Sequence, residues 1–161
     1  MSAQPFTSTP MDVEAAWTDF NGHLNMAYYN VLFDRGVDQA FSAIGIGPEY
    51  TRERRLTVYT AEVHICYVRE LHEGSQVTVS TQIIDHDDKR IHLYQEMRHL
   101  DGWLAASSEG LFLHIDMGGP RVTPFPSDKA PQLKAMAAAH AMLPRPERIG
   151  RKIAIVHKPR S

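Results

Sequence analysis

Apolar residues recur at Tyr29, Phe33, Val37, Ala40, Phe41 and Ile44, one broad stripe on an α-helix of about five turns. Asn25 offers a side-chain oxygen to the first free N–H groups of that helix. Gly45 suits the left-handed position past its last turn, with Ile46 as apolar partner and Pro48 blocking continuation. Before the helix, Met11, Val13, Ala15 and Trp17 alternate, which predicts a strand over residues 11–17. After it, residues 57–68 alternate, with Ala61, Val63, Ile65 and Tyr67 opposite Glu62, His64 and Cys66. Further strands are predicted over 76–85, 89–99 and 103–116, separated by His72–Ser75, His86–Asp88 and the hairpin signal Asp101-Gly102. The prediction is α+β, an antiparallel sheet of five to six strands wrapped around the long helix, with the four long strands as a meander. Pro124, Pro126 and Pro131 mark a connector, and residues 131–143 predict a short alanine-rich C-terminal helix. The last fifteen residues show no firm periodicity beyond Ile153, Ile155 and Val156.

At 161 residues the chain fits a single domain, its core within about 10–118 and a C-terminal helix and basic tail over 119–161. A net charge of −2 argues against nucleic-acid binding. It is unevenly placed: Arg145, Arg148, Arg151, Lys152, Lys158 and Arg160 face one acid, Glu147, leaving the first 144 residues near −7. No apolar stretch approaches the roughly 20 residues that span a bilayer. Met-Ser-Ala-Gln-Pro-Phe-Thr has neither the basic region nor the apolar run of a signal peptide, and the lone Cys66 fits a reducing compartment. A cytoplasmic protein without membrane partners is expected.

The densest chemistry lies on the turn before the long helix. Asp19, Asn21, Gly22, His23 and Asn25 put an acid, two amides and an imidazole beside free helix N–H groups and the positive end of the dipole. An ionised Asp19 can activate water or attack a carbonyl, and backbone N–H groups near Leu24–Ala27 can polarise an oxygen. Each residue also has a plainer reading: Asp19 as a turn cap, Asn21-Gly22 as a simple turn, His23 as a hydrogen-bonded surface or core residue, Asn25 as a helix cap. Lys89 and Arg90 open a strand, as a solvated pair or an anion site. Trp17, Tyr28 and Tyr29 flank the turn, with Tyr28 off the apolar stripe. The nine histidines form no HExxH or HxH cluster, there is no CxxC, and no metal site is expected. His64 and Cys66, two apart on one strand, form a possible thiolate–imidazole pair.

The order of elements resembles the hotdog fold, and Asp19-x-x-Gly22-His23-x-Asn25 resembles the signature of hotdog acyl-CoA and acyl-carrier-protein thioesterases. Asp19 sits where the 4-hydroxybenzoyl-CoA thioesterase branch keeps its catalytic aspartate. Asp19, Asn21 and His23 also match the Asp-x-Asn-x-His pattern of plant acyl-carrier-protein thioesterases. The downstream glutamate of those enzymes is not kept: Cys66 falls at its position, unless Glu62 serves instead. Tyr59-Thr-Ala-Glu-Val-His, Leu71-His-Glu-Gly, Asp85-His-Asp-Asp-Lys-Arg-Ile-His, Glu96-Met-Arg-His and Pro124-Phe-Pro are similar to the thioesterases that accompany carnitine dehydrogenase. Those are associated with hydrolysing betainyl-CoA to glycine betaine.

The resemblance implies a thioester hydrolase acting on a short-chain acyl-CoA, possible betainyl-CoA chemistry in carnitine degradation included. It implies Asp19 as base or nucleophile, with Asn21 and His23 beside it, and no cofactor beyond the coenzyme A of the substrate. Lys89 and Arg90 match basic CoA-binding positions. Asn25, Tyr28 and Trp17 are the substrate-binding candidates, the aromatics because a quaternary ammonium is held by π faces. A homodimer or homotetramer is implied. Two alternatives stand beside this: a hotdog hydratase or dehydratase, and a non-catalytic acyl-binding module.

Overall fold

Asn25 starts the long helix as its position predicts. Its Oδ1 accepts the Ala27 N–H at 3.0 Å, and α1 runs Met26–Ala43. The predicted stripe points inward, with Tyr29, Phe33, Val37, Ala40, Phe41 and Ile44 all buried. Gly45 takes a φ of 73°, and the Ile46 N–H closes on the Phe41 carbonyl at 2.9 Å. A computed structural model describes residues 3–158. Met1 and Ser2 of the N-terminal stretch and Arg160 of the basic tail lie outside the described residues.

Pro48 ends one helix and opens another. The hydrophobic pattern predicts nothing here, yet α2 spans Pro48–Arg54. Proline at its first position, Glu49 in its first turn and Arg52 and Arg54 in its last all favour that short helix. The Ala-rich helix, α3, spans Ala130–His140.

The strands are β1 (Phe6–Thr7), β2 (Met11–Asp12), β3 (Leu56–Tyr67), β4 (Gln76–His86), β5 (Arg90–His99), β6 (Leu104–Asp116) and β7 (Arg121–Val122). They form one antiparallel sheet in the order β1-β4-β5-β6-β3, with β2 also on β4 and β7 on β6. This sheet around α1 is the expected hotdog fold, and three two-residue strands bring its count to seven.

Two predictions are corrected. The strand over residues 11–17 stops at Asp12: Ala15–Trp17 form a 3-10 turn, with the Thr18 hydroxyl donating to the Ala15 carbonyl at 2.8 Å. Ala15 and Ala16 have no branched side chains to favour extended backbone. The meander has three strands, β4-β5-β6, and β3 pairs with β6 rather than β4. The link between β3 and β4 passes beneath the start of α1. There Leu71 is fully buried, receives the Leu24 N–H on its carbonyl at 2.8 Å and donates its own N–H to the Tyr29 hydroxyl at 3.1 Å. His72–Ser75 does turn, but at the end of this crossing.

The helix packs on the sheet in two halves. Tyr29, Leu32 and Phe33 meet Val77, Val79 and Met97; Val37 and Phe41 meet Ile83, Ile91, Leu93 and Phe112. Gly36 lies between them, so close to β4 that a Cβ there would stand 2.6 Å from Val79 Cγ1. On the other face of the sheet the tail crosses the strands in turn. Gln82 of β4 donates to the Pro144 carbonyl at 3.3 Å, and the Gly150 N–H donates to Glu109 Oε2 of β6 at 2.7 Å. Arg151 and Lys152 then lie with Glu62 and His64 of β3 around a cavity of about 380 Å³. Among the described residues no helix is long and apolar enough to cross a membrane.

Candidate active site

The turn before α1 is held by Asp19 itself. Asp19 Oδ1 accepts the N–H groups of Asn21 at 2.8 Å and His23 at 3.2 Å, while the Gly22 N–H donates to the Asp19 carbonyl at 3.0 Å. Gly22 sits at a φ of 76°, which its missing side chain allows. The cap and the catalytic readings of Asp19 are therefore compatible. Oδ1 fixes the loop, and Oδ2 has no hydrogen-bond partner among the described residues. The Asn21 side chain is exposed at the loop tip.

Asp19, His23, Met26, Tyr29, Tyr67 and Glu70 line a cleft of about 340 Å³. Two phenols, Tyr29 and Tyr67, form part of its wall, beside Leu24, Val68 and the cationic Arg69. Burial pushes the Tyr29 and Tyr67 hydroxyls above their ordinary range, the rings pack edge-on at 5.1 Å, and Tyr67 donates to the Met26 carbonyl at 3.2 Å. At the rim, His23 Nδ1 stands 3.2 Å from Glu70 Oε2, and His72 Nε2 stands 3.8 Å from Glu70 Oε1. Glu70 and His72 belong to the β3–β4 crossing, not to the turn motif. The signal that joins them to it is the backbone bridge between His23 and His72, which no spacing in the chain reveals.

Three of the four backbone donors expected at the helix start are taken. The Leu24 N–H goes to Leu71, that of Asn25 to the Trp17 carbonyl, and that of Ala27 to Asn25 Oδ1. Met26 N–H alone has no partner among the described residues, and Met26 lines the cleft. Asn25 acts here as the cap, its Oδ1 already engaged.

Other candidates lie elsewhere. Trp17 and Tyr28 stack on each other with centroids 5.6 Å apart, and the Arg35 guanidinium covers Trp17 at 4.7 Å. Neither ring lines the Asp19 cleft. Arg90 is bound to Asp87, Nε to Oδ2 at 2.6 Å, an interaction that lowers the Asp87 carboxyl to about 2. Along β6, Arg90 pairs with Leu113 and Tyr67 with Ala106. Seven residues of strand, about 23 Å, therefore separate Lys89 and Arg90 from the cleft wall of their own chain. Glu62 and His64 line the outer cavity beneath the tail, and Cys66 Sγ lies 3.8 Å from His64 Nε2. His23, Glu70 and His72 place three donor atoms within 4.8 Å of one another, the one such group of potential metal ligands among the described residues.

Among the described residues, a carboxylate with one free oxygen and an unpartnered N–H at a helix start, set on one open cleft, can hydrate or hydrolyse an acyl group. Comparison with known proteins narrows this. The chain is 34% identical over 155 residues to the betainyl-CoA thioesterase of Pseudomonas aeruginosa, across 95% of this chain and 97% of that one. It is 31% identical to the L-carnitine dehydrogenase/betainyl-CoA thioesterase of Rhizobium meliloti, over 92% of this chain but 30% of that larger protein. A Staphylococcus aureus protein characterised in complex with CoA superposes with a TM-score of 0.87 at 31% identity, over 97% of this chain and 98% of its own. The family profile described as the thioesterase-like superfamily matches residues 13–142. With its four long strands, its long helix and its aspartate turn all inside that match, the chain belongs to the thioesterase-like superfamily and is a thioester hydrolase.

Proposed function

We propose that the enzyme hydrolyses a short-chain acyl-CoA, betainyl-CoA first among them, to the free acid and CoA in the course of carnitine degradation. The observation that carries this reading is the likeness to a betainyl-CoA thioesterase over nearly the whole of both chains. The cleft is consistent with it. Asp19 Oδ2 serves as general base to water, or as nucleophile on the thioester carbon. Met26 N–H receives the developing negative charge on the carbonyl oxygen. His23, tied to Glu70, and Asn21 at the loop tip position water and substrate.

A trimethylammonium group offers no hydrogen-bond donor and is held by aromatic faces, with or without a nearby carboxylate. Tyr29 and Tyr67 offer aromatic faces inside the cleft, whereas Trp17 already carries the Arg35 guanidinium. The free edge of β3, with Tyr59, Val63 and Tyr67 exposed, supports pairing with a second copy into a homodimer or homotetramer. In such an assembly Lys89 and Arg90 would serve the CoA of a neighbouring subunit, being too far from their own Asp19. A cytoplasmic setting goes with this substrate.

Thiol release from a panel of CoA thioesters, including betainyl-CoA, tests the reading. Preferential turnover of betainyl-CoA supports it, and no turnover above background on any thioester would overturn it.

A further inference from the structure

His23 and His72 are 49 residues apart in sequence, yet their backbones form an isolated antiparallel bridge. Their imidazoles meet edge-on at 4.7 Å, and one carboxylate, Glu70, lies against both. We propose that His23, Glu70 and His72 form a binding site for a divalent transition-metal ion of the zinc type.

Geometry and chemistry agree on this. Ligand bonds of about 2.0–2.1 Å in a tetrahedral shell place neighbouring donor atoms about 3.3 Å apart. The His23 Nδ1–Glu70 Oε2 separation is 3.2 Å, and His72 Nε2–Glu70 Oε1 is 3.8 Å. The whole group falls within 4.8 Å, so small side-chain rotations close the shell. The frame beneath is already fixed. The His23 N–H is held by Asp19, the Leu24 N–H by Leu71, and the Glu73 N–H donates to the Gly22 carbonyl at 3.3 Å. Two imidazoles and a carboxylate suit zinc, cobalt or nickel rather than magnesium or calcium, and three protein donors leave a position for water or a substrate atom. The His92–Glu109 pair on the other face makes the contrast. Although His64 lines the same cavity, no third donor atom completes a group within 4.8 Å there among the described residues, and the second Glu109 oxygen is taken by the Gly150 N–H.

The site does not depend on which thioester the cleft hydrolyses. The test uses tag-free, full-length, EDTA-treated protein titrated calorimetrically with zinc chloride, with cobalt(II) as a spectroscopic probe. One ion per chain and visible cobalt bands of a low-coordinate site are expected. His72→Ala and Glu70→Gln should each weaken zinc binding at least tenfold, while Glu109→Gln leaves it unchanged. His72→Gln, checked by circular dichroism, replaces any variant that fails to fold. Absence of saturable submillimolar binding, or wild-type affinity in a folded His72 variant, would overturn the site. Thiol release is scored separately. An active protein that binds no zinc loses this site alone, and a zinc-binding protein inactive on every thioester loses only the proposed reaction.

Discussion

Proline at position 26 would remove one N–H and little else. Met26 is the first residue of α1, where proline needs no intrahelical donor. Asn25 before it has φ −64° and ψ 141°, the extended region that a residue preceding proline prefers. The Met26 side chain is 67% exposed, so its loss forfeits less than about 1 kcal/mol of burial. Its carbonyl still accepts from Tyr67 and the Asn25 cap on Ala27 is untouched. The melting temperature should therefore move by no more than about 4 °C. Loss of an oxyanion donor costs about 2.7–4 kcal/mol in the transition state, or 10²–10³ in kcat. The catalytic effect exceeds the structural one, so the two separate cleanly. Because the donor acts on charge that develops in the transition state, kcat and kcat/KM should fall together. Met26→Ala keeps the N–H and should retain kcat. The assay is continuous thiol release with a disulfide dye, beside far-ultraviolet dichroism of each variant. A folded Met26→Pro enzyme with wild-type kcat would refute the assignment of this N–H.

Asp19→Asn keeps an oxygen for the Asn21 and His23 N–H groups, so the loop should persist while kcat drops about 10²–10⁴-fold; full activity would leave the enzyme class standing but remove the mechanism. Tyr67→Ala should raise KM for betainyl-CoA more than for acyl-CoAs without a cation, and equal changes for both would exclude Tyr67 from cation binding. At Gly36, alanine gains about 1 kcal/mol of helix propensity but forces a contact with buried Val79 that costs about 1–3 kcal/mol. Gly36→Ala should thus melt lower, with Val79→Ala relieving it in the double variant; a higher melting temperature would show that β4 gives way. Burial pushes the His114 and His140 imidazoles below their usual range, so both stay neutral in the fold while unfolded histidines protonate near 6.5. Their contribution is complete above about pH 6.5 and is lost as pH falls through the lowered folded values, by at most about 1.4 kcal/mol per unit each. Urea midpoints measured between about pH 7.5 and 5 should decline, less steeply in His140→Gln, and a flat profile would contradict this.

The long helix and the four long strands were legible because burial imposes periods on the chain, and those periods survive in Tyr29–Ile44 and in Val77, Val79, Thr81 and Ile83. Strand order was not. Alternation says which side of β3 faces inward, never which strand lies beside it, and the Leu71 crossing that carries β3 to the far edge looks like an ordinary hairpin link. The Asp19 turn was readable since its parts are neighbours in sequence. Glu70 and His72 reach it only through a backbone bridge, so nothing local marks them. Aromatic residues misled for a related reason: Trp17 and Tyr28 sit near Asp19 along the chain, but side-chain direction, not proximity in sequence, decides that they stack on each other and that Tyr67 lines the cleft.

The C-terminal tail makes the two sides of the sheet separable. The Asp19 cleft belongs to the side that α1 fills, while the stretch from Pro144 to Lys152 spans the opposite side through Gln82, Glu109 and the cavity beside Glu62. Few hydrogen bonds secure so many ordered residues, so this segment detaches at lower cost than the helix it lies behind. Cutting the chain after Leu143 would strip the outer surface and remove no residue that lines the Asp19 cleft. The enzyme thus carries an exterior that can change its contacts, or lose them, without retuning the chemistry on the far side of a single layer of strands.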